Sequence, residues 1–383
     1  MECRKLFYED CNMRAFTATV TGCTETEKGY EVTLDATAFY PEGGGQACDL
    51  GLLGNARVLD VQEQGDAIIH LCDGPLTVGR AVEGQIDWQR RFDLMQQHSG
   101  EHILSGLIHR RFGWHNVGFH VGAEVVQIDF DGPIPADALA ELEAEANAVV
   151  WENRPIKCWY PAQELLPGIQ YRSKKALDWP VRIVEIPGAD TCACCGVHVT
   201  STGQVGLIKI FSSMKFHEGV RIEMACGERA LRHLSAVYEQ NRQVSQTFSA
   251  KVLETGAAAQ RTAEALAAEK LRANTLQSRL FDYMAKDYVN QENVLLFEAG
   301  LDGGQLRQLA EKLSAVCKGV VAVFSEKEGG FGYCLAQPGG DLRSLCKDMN
   351  AALNGRGGGK PAFQQGTVGA EKGQIEGFFA QRK

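Results

Sequence analysis

Two short clusters of metal-binding residue types constrain the fold of this chain most. The first is Gln97-His98-Ser99-Gly100-Glu101-His102, and the second is Cys192-Ala193-Cys194-Cys195-Gly196-Val197-His198. On a helix, His98 and His102 lie one turn apart and project from one face. Two imidazoles in this arrangement, with a thiol and His198 from the second cluster, suit one Zn²⁺ per chain. The alternative is a pair of buried histidines with some packed thiols, which leaves the density of soft ligands in the second cluster unexplained.

Composition frames the class of protein. The chain has 383 residues, of which 44% are hydrophobic and 23% are charged, as expected for several soluble globular domains. No apolar run is long enough for a membrane span, and residues 1–5 lack the apolar core of a signal peptide, so we expect a cytoplasmic protein without a membrane partner. The 13 cysteines have no regular spacing, which favours free thiols. A net charge of −9 argues against a strongly basic, non-specific nucleic-acid binder, although it allows a local basic patch.

The first 90 residues are predicted to form a small β-barrel. Short alternating segments such as Phe16–Val20 and Tyr30–Leu34 follow one another closely, with polar turns between them. Within this region, Gly43, Gly44 and Gly45 precede Gln46. Three consecutive glycines do not suit a strand interior. They indicate either a wide hairpin turn or a loop that approaches a ligand closely.

Residues 91–226 are predicted to form an α/β domain with the metal site. Arg91–Phe112 has a helical pattern, and Pro135-Ala136-Asp137 is typical of the start of a second helix that ends near Glu152. Val181–Ile186 is expected to be a strand that leads into the Cys-rich cluster. The metal site should therefore lie where a helix meets a loop.

Two further regions complete the predicted α+β multidomain fold. Residues 227–290 contain no proline and many strong helix formers, which predicts a helical hairpin arm with a break at Gly256. This arm is either a spacer or an element that pairs two chains or reaches RNA. Residues 291–383 alternate between strand and helix patterns and are predicted to form a small α/β domain. Its glycine loop carries Arg356 and Lys360, which can contact a phosphate, although such segments are often only turns.

With these segments placed in order, nearly the whole chain resembles a free-standing alanyl-tRNA editing protein of the long AlaX type. That family has a Gly-rich loop in an N-terminal barrel, then His-x-x-x-His, then Cys-x-x-x-His. The matching residues here are Gly43–Gln46, His98 with His102, and Cys194 with His198. The segment Gly357–Pro361 resembles the DHH-associated domain that ends alanyl-tRNA synthetases. No Asp-His-His triplet is present, and no room is expected for an aminoacylation domain upstream of the barrel.

The resemblance also selects among the thiols of the second cluster. From the residues alone, Cys192, Cys194 and Cys195 remain open as ligands, and the first and last of these form a Cys-x-x-Cys pair of common zinc spacing. The family pattern picks Cys194. The synthetase editing domains usually have Cys-Gly-Gly-Thr-His, so Cys195 and Val197 depart from them. Glu101 departs as well, because those domains often have threonine there.

The resemblance implies a zinc-dependent deacylase whose substrate is tRNA for alanine charged with serine or glycine. In this reading Glu101 acts as general base or proton relay, and its alternative roles are an exposed helical carboxylate or a hydrogen-bond partner of a ligand histidine. Gly43, Gly44 and Gly45 are expected to lie against the substrate, where Gln46 could bond to it. Arg356 and Lys360 are expected to contact tRNA.

Two readings from other classes remain. One is a zinc hydrolase of small esters or peptides, although Ser99 follows His98 where metalloproteases with His-Glu-x-x-His have their catalytic glutamate. The other is a tRNA-binding protein with a structural zinc. Zinc-dependent release of serine from tRNA separates the predicted activity from both.

Overall fold

The computed structural model describes residues 3–173 and 180–382, which divide into two compact units, Met1–Gln243 and Val244–Lys383. The fold is a mixed α/β structure with several sheets, so the predicted α+β class is confirmed at that level. Within the first unit, one continuous hydrophobic core extends from Cys3 to Cys226. The boundary predicted near residue 90 therefore does not separate two cores. None of the helices in the described part of the chain is long and apolar enough to cross a membrane.

The N-terminal part of the first unit contains a closed six-stranded barrel. Two short elements, β1 (Arg4–Lys5) and α1 (Leu6–Glu9), precede the barrel in the sequence. The short β4 (Ala36–Thr37) follows the first two barrel strands and pairs with β1. The barrel strands, in their order around it, are β2 (Ala15–Thr26), β3 (Gly29–Leu34), β7 (Ala67–Cys72), β6 (Ala56–Gln64), β5 (Gly51–Leu53) and β8 (Ala81–Ile86). Alternation along β2 buries Phe16, Ala18 and Val20. Phe16 pairs with Gly84 of β8, where a Cβ atom would overlap the phenyl ring.

A long helix, α2 (Trp88–Phe112), runs from the barrel into the rest of the unit. Asp87 caps its first turn by accepting a hydrogen bond from the Arg90 amide, and Gly113 ends it in the left-handed conformation with φ 77°. Every residue from 94 to 108 is buried, so this helix is not the one-sided element that its apolar pattern indicates. It is enclosed on all sides, and its polar residues there need internal partners.

Two sheets and a second helix surround α2. The helix is α3 (Ala136–Trp151), whose N-cap is Pro135. The first sheet has the order β14 (Ile208–Phe216), β15 (Gly219–Cys226), β10 (Val126–Phe130) and β9 (Asn116–Val121). The second has the order β11 (Lys157–Trp159), β12 (Ile183–Ile186) and β13 (Asp190–Ala193). Gly106 of α2 lets this second sheet approach closely, because a Cβ atom there would overlap the Ala189 carbonyl.

Two helices occupy the region of the predicted arm. They are α4 (Gly227–Thr247) and α5 (Thr255–Lys286), with a short 3₁₀ turn at Val252–Glu254 before α5. Gly256 was predicted to interrupt the helical pattern, and this is wrong. It lies in the first turn of α5, and the break falls at residues 248–254 instead.

The second unit contains a five-stranded sheet of order β16 (Val294–Phe297), β17 (Val321–Lys327), β18 (Gly330–Ala336), β20 (Phe363–Val368) and β19 (Gly355–Lys360). Its further helices are α6 (Gly303–Ser314), α7 (Arg343–Ala352) and α8 (Lys372–Ala380). Alternate residues of β17 enter different core clusters, Val321 and Val323 in one and Ala322 and Phe324 in the other. Both faces of this sheet are therefore covered, as in other α/β units.

The C-terminal glycine segment is a strand and not the loop that its composition indicates. Gly355–Lys360 pairs with β20 and forms the edge of the sheet. The backbone of this segment is therefore already hydrogen-bonded on one side. The predicted phosphate-binding loop geometry is wrong, although Arg356 and Lys360 are both exposed on this edge strand.

Candidate metal centre

The two clusters of metal-binding residues meet inside the first unit. Helix α2 carries His98 and His102, and the loop that follows β13 carries Cys194 and His198. The candidate ligand atoms of these four side chains all lie within 4.8 Å of one another. The three histidines are almost completely buried, with exposures between 1% and 3%, so they form an interior site.

Each histidine is oriented through its Nδ1 atom. His98 Nδ1 donates to Gln46 Oε1 at 2.8 Å, and His102 Nδ1 donates to Asp190 Oδ2 at 2.9 Å. Hydrogen-bond partners at one ring nitrogen fix the other as a metal ligand, as is usual around protein-bound zinc.

The third histidine follows the same pattern. His198 Nδ1 lies 3.1 Å from Ser99 Oγ, which also accepts a hydrogen bond from the Val199 amide. His198 Nε2 is buried and has no hydrogen-bond partner. An unpartnered nitrogen in the interior is costly unless something binds it, so this atom fits a metal ligand.

The Cys194 thiol is the fourth candidate ligand. Its Sγ atom lies 3.4 Å from His98 Nε2. Zinc bonds of about 2.0–2.1 Å to nitrogen and about 2.3 Å to sulfur, at tetrahedral angles, place two such ligands about 3.6 Å apart. Although burial opposes ionisation, the surrounding histidines, His98 foremost, hold the pKa of Cys194 well below its ordinary value. A thiolate is the form that binds zinc.

The other two thiols of the cluster are poorer candidates. Burial raises the pKa of Cys192 to about 11, and this residue forms a second group with His102 and Asp190. Cys195 is exposed as a whole residue, but its sulfur is largely shielded from solvent, and this burial raises its pKa as well. Of the three thiols, Cys194 alone groups with all three histidines, and its role as a ligand stays a prediction.

Asp190 carries a negative charge at the back of the site. Arg172 holds it through two hydrogen bonds of 2.7 and 2.8 Å. Although burial opposes the charge, the hydrogen bonds from His102 and Arg172 lower the pKa of Asp190 to about 2. Burial alone would lower the pKa of His102, but the bond to Asp190 raises it well above its ordinary value. An ionised Asp190 makes His102 a stronger electron donor.

The first glycine segment forms a tight turn beside this site. The backbone groups of Gly43 and Gln46 exchange two hydrogen bonds of 3.0 and 3.1 Å, and Gly44 and Gly45 between them have φ of 59° and 82°. Both are positive, as the favoured two-residue hairpin turn requires. A Cβ atom on Gly44 would lie 3.0 Å from Cys195 Sγ, and one on Gly45 would overlap the Phe119 ring. The turn is narrower than the wide hairpin considered for this segment.

Gln46 and Glu101 have partners within the protein. The Gln46 oxygen binds His98, whereas its Nε2 atom is buried without a hydrogen-bond partner. Glu101 is 3% exposed, and its Oε1 atom accepts bonds from Ser105 at 2.6 Å and from Asn116. Its Oε2 atom lies 3.9 Å from His102 Nε2. The exposed helical carboxylate that we considered as an alternative is therefore wrong.

A cavity of about 710 Å³ opens onto the site. Its lining includes His98, Glu101 and His102, together with Gly44 and Gly45 of the turn. This volume is in the range of pockets that bind small molecules. The structure thus brings together the predicted ligands, Glu101, Gln46 and the first glycine segment. Arg356 and Lys360 lie in the second unit, four residues apart on one strand, so about 13 Å separates them.

Sequence reasoning missed several residues of the site. Asp190, Ser99, Arg172 and Asn116 hold the metal-site side chains in place but belong to no metal-binding motif. Ser99 could have been noticed, since it lies between the two histidines of α2. The others carry no local signal, because their partners lie far away in the sequence.

Two family profiles match parts of this chain. "Threonyl and Alanyl tRNA synthetase second additional domain" matches residues 181–223, which include Cys194 and His198. "tRNA synthetases class II (A)" matches residues 4–90, which include the barrel. The matched segments thus contain the second metal-binding pair and the first glycine segment.

Relatives match over most of the chain. Alanine–tRNA ligase of Pyrococcus abyssi is 32% identical over 96% of this chain and 42% of the ligase. Alanine–tRNA ligase of Ignicoccus hospitalis is 37% identical over 64% of this chain and 28% of the ligase. Alanyl-tRNA editing protein Aarsd1-B of Xenopus laevis is 27% identical over 93% of this chain and 89% of that protein. The chain therefore spans less than half the length of these ligases, but most of the editing protein.

Among solved structures, the C-Ala domain of Aquifex aeolicus alanyl-tRNA synthetase matches 24% of this chain and 91% of that domain. The identity is 20% and the TM-score is 0.22.

Proposed function

This chain is related to alanyl-tRNA editing proteins of the long AlaX type, and from this premise we propose that it is a hydrolase that deacylates mischarged tRNA for alanine. Its substrate is the ester of serine, and secondarily of glycine, with the terminal ribose of that tRNA. It acts in trans on tRNA that a synthetase has already charged. Such an enzyme works in the cytoplasm, where charged tRNA is used.

The observation that carries this proposal is the meeting of His98, His102, Cys194 and His198, the first three of which line a cavity. Three imidazoles with fixed Nδ1 atoms and one thiolate fit Zn²⁺ well. When bound, zinc could polarise the ester carbonyl, lower the pKa of a water molecule or orient the substrate. The four side chains would hold it at the inner wall of the cavity.

Glu101 is the best candidate for moving a proton. It lines the cavity, and its Oε1 atom is held by Ser105 and Asn116. Its Oε2 atom lies 3.9 Å from His102 Nε2, where it could accept a proton from an attacking water and return it to the leaving ribose oxygen. Because the ester is already reactive, this modest assistance suffices. The buried Nε2 atom of Gln46 has no partner in the protein and can donate to a substrate oxygen.

The need for such an activity follows from the limits of selection by size. A synthetase pocket that accepts alanine cannot exclude glycine, and an apolar pocket rejects one added hydroxyl only weakly. A second site that forms hydrogen bonds with the serine hydroxyl can reject alanine strongly, because alanine would leave buried polar groups unpaired. Glu101 lines this cavity, and Gln46 lies behind it on His98, so polar groups that could support that kind of selection are present.

The second unit and the helical arm are proposed to provide tRNA affinity. Arg356 and Lys360 are exposed beside Gly357–Gly359, where bulky side chains do not block a phosphate. Helix α5 has 32 residues, about 48 Å of length, and it exposes Leu266, Leu276 and Leu280. Pairing of two chains through this helix is a further part of the proposal.

The deciding experiment compares two charged forms of the same tRNA. Ser-tRNA for alanine should be deacylated quickly, and correctly charged Ala-tRNA should persist. Chelation of the metal should stop the reaction while circular dichroism shows an intact fold. Equal rates on both tRNAs would contradict the specificity. Full activity after complete removal of the metal would contradict a catalytic zinc.

A further inference from the structure

One aromatic ring of the cavity wall lies directly against a candidate metal ligand, and it belongs to Phe119 of β9. We infer that Phe119 sets the size of the acyl group: glycyl and seryl esters fit the site, and β-branched acyl groups such as threonyl do not. This inference rests on the proposed function, because it identifies which amino acids the deacylase releases. Phe119 belongs to none of the motifs that defined the metal site, and it selects the substrate without a part in bond cleavage.

The Phe119 ring is confined on more than one side. Its centre lies 5.1 Å from that of His98, and the two planes meet at 33°. The ring also fills the space beside Gly45, where a Cβ atom would overlap it. Phe119 packs in addition against the hydrophobic core of the first unit. A ring held between a ligand histidine, a tight turn and a close-packed core cannot move aside without disturbing them.

An irregularity in β9 precedes Phe119. Asp129 of β10 pairs with Gly118, but the next residue, Phe130, pairs with Asn116. Val117 is therefore an extra residue in β9, as in a β-bulge. Gly118 lets the two strands stay close there, because a Cβ atom on it would lie 2.6 Å from Asp129 Oδ2.

The bulge turns two side chains of β9 towards the same helix. Asn116 and Phe119 are three positions apart, and in a regular strand they would point to opposite faces of the sheet. The extra residue between them cancels that difference. Asn116 accordingly donates to Glu101 of α2, and Phe119 lies against His98 of α2. This strand thus supports the proposed proton carrier and forms an apolar wall beside the metal site.

The acyl group of the substrate has to lie near this wall. In an amino-acid ester, the β-carbon is only two bonds from the carbonyl carbon. A carbonyl held at the candidate metal centre therefore places any β-substituent next to the side chains around that centre. The cavity lining there includes His98, His102, Glu101, Gly44, Gly45 and Phe119. Of these residues, Phe119 alone has a large apolar side chain.

The hydroxyl of serine and the methyl group of threonine meet different conditions in such a site. A hydroxyl can form a hydrogen bond with Glu101, which lines the cavity. The cations of the lining, Arg172 and Arg182, also favour oxygen atoms and give a methyl group no attraction. The added methyl group of threonine needs space that the confined Phe119 ring occupies, and overlap with a fixed side chain is unfavourable. Glycine has neither group and enters without steric hindrance.

The test measures binding of three analogues to the full chain loaded with zinc. They are the amides of 3′-amino-3′-deoxyadenosine with glycine, serine and threonine, which cannot be hydrolysed as esters. Because the nucleoside is the same in all three, the ratio of two Kd values reports the acyl group alone. The variants are Phe119→Ala, Phe119→Leu and the control His120→Ala, whose exposed side chain lies outside the cavity lining. Zinc content and melting temperature are measured for each variant.

We expect the unaltered chain to bind the threonyl analogue roughly 10- to 200-fold more weakly than the seryl analogue, the range that one methylene group produces in a fitted pocket. Phe119→Ala should remove most of this difference, Phe119→Leu should remove part of it, and His120→Ala should leave it unchanged. In deacylation, Phe119→Ala should release threonine from a Thr-tRNA that the unaltered chain leaves charged.

An unchanged ratio of threonyl to seryl Kd in Phe119→Ala would overturn the inference. Equal binding of both analogues by the unaltered chain would do so as well, and so would failure of all three analogues to bind. If Phe119→Ala loses zinc or does not fold, the ratio in Phe119→Leu decides in the same way. Absence of Ser-tRNA deacylation in a chain that still discriminates against the threonyl analogue would instead overturn the proposed function alone.

Discussion

The segments Gly43–Gly45 and Gly357–Gly359 look alike in sequence, yet the structure uses their glycines in different ways. In the first, Gly44 and Gly45 have positive φ and make a tight turn against Cys195 and Phe119. The second is an extended edge strand paired with β20, and no positive φ occurs in it. A glycine triplet therefore predicts a bare backbone, but not whether that backbone turns or extends.

The reason for the glycines of the second segment is close packing. A Cβ atom on Gly357 would overlap the Gln365 carbonyl and the Tyr333 hydroxyl, and one on Gly359 would overlap the Phe363 carbonyl. A Cβ atom on Gly358, in contrast, would meet nothing within 4 Å. Gly357 and Gly359 let β19 lie close to its neighbours, whereas Gly358 can be replaced by a larger residue without steric overlap.

The largest expected effect is on zinc binding at the candidate site beside the first glycine segment. Cys194→Ala should remove zinc from the protein and lower deacylation by about 100-fold or more, since bound metal typically contributes several kcal/mol to the transition state. Metal content and single-turnover rates measure this. Cys195→Ala is the matched control, because its thiol lies beside Gly44 but belongs to neither group of candidate ligands, so it should be dispensable for zinc. Full zinc in Cys194→Ala with loss in Cys195→Ala would show that the ligand is wrongly chosen.

The next effect concerns the residue that ends the first segment. Gln46→Ala removes the acceptor that orients His98 and should weaken zinc affinity by about 10- to 100-fold. Competition with a metal chelator measures this affinity. Gln364 offers the comparison on β20, the strand that pairs with the second segment, because it is equally buried and its amide donates to the Lys360 carbonyl. A similar loss of zinc in Gln364→Ala would mean that these substitutions act through general stability.

The two glycine segments can also be compared directly. Gly44→Val places a branched side chain at φ 59°, with its Cβ atom 3.0 Å from Cys195 Sγ. The strain of about 1–2 kcal/mol should lower activity by roughly 5- to 30-fold while zinc stays bound. Gly358→Val has open space and an ordinary φ, so its melting temperature and activity should match those of the unaltered chain. If Gly44→Val and Gly358→Val have the same activity and melting temperature, the turn at Gly44 tolerates a side chain as well as the strand at Gly358 does. The contrast between the two segments is then wrong.

The smallest expected effect is on tRNA binding by the second segment. Arg356→Ala and Lys360→Ala should each weaken tRNA binding and reduce the slope of log affinity against log salt by about 1, because each removes one phosphate contact. The rate at saturating tRNA should not change. Arg343→Ala is the control, since this exposed arginine of the same unit is already paired with Asp341. An unchanged salt slope in both variants would remove this strand from the RNA interface.

Much of the fold and of the site can be predicted from sequence where the signal is local. The mixed α+β class and the relationship to alanyl-tRNA editing proteins are confirmed. The spacing of His98 and His102 puts both on one side of a helix, and Pro135 stands at the start of α3. Each of these inferences depends on residues a few positions apart, where helix geometry links spacing to direction.

Only the tertiary structure decided the rest. Asp190 and Gln46 orient His102 and His98 across 88 and 52 positions of the chain, and no periodicity encodes such contacts. Helix α2 is buried on all sides, so Glu101 is an interior group held by Asn116 and not an exposed carboxylate. The same lack of local signal explains the error at Gly355–Lys360. Glycine permits both turns and extended strands, and the partner strand β20 decides between them.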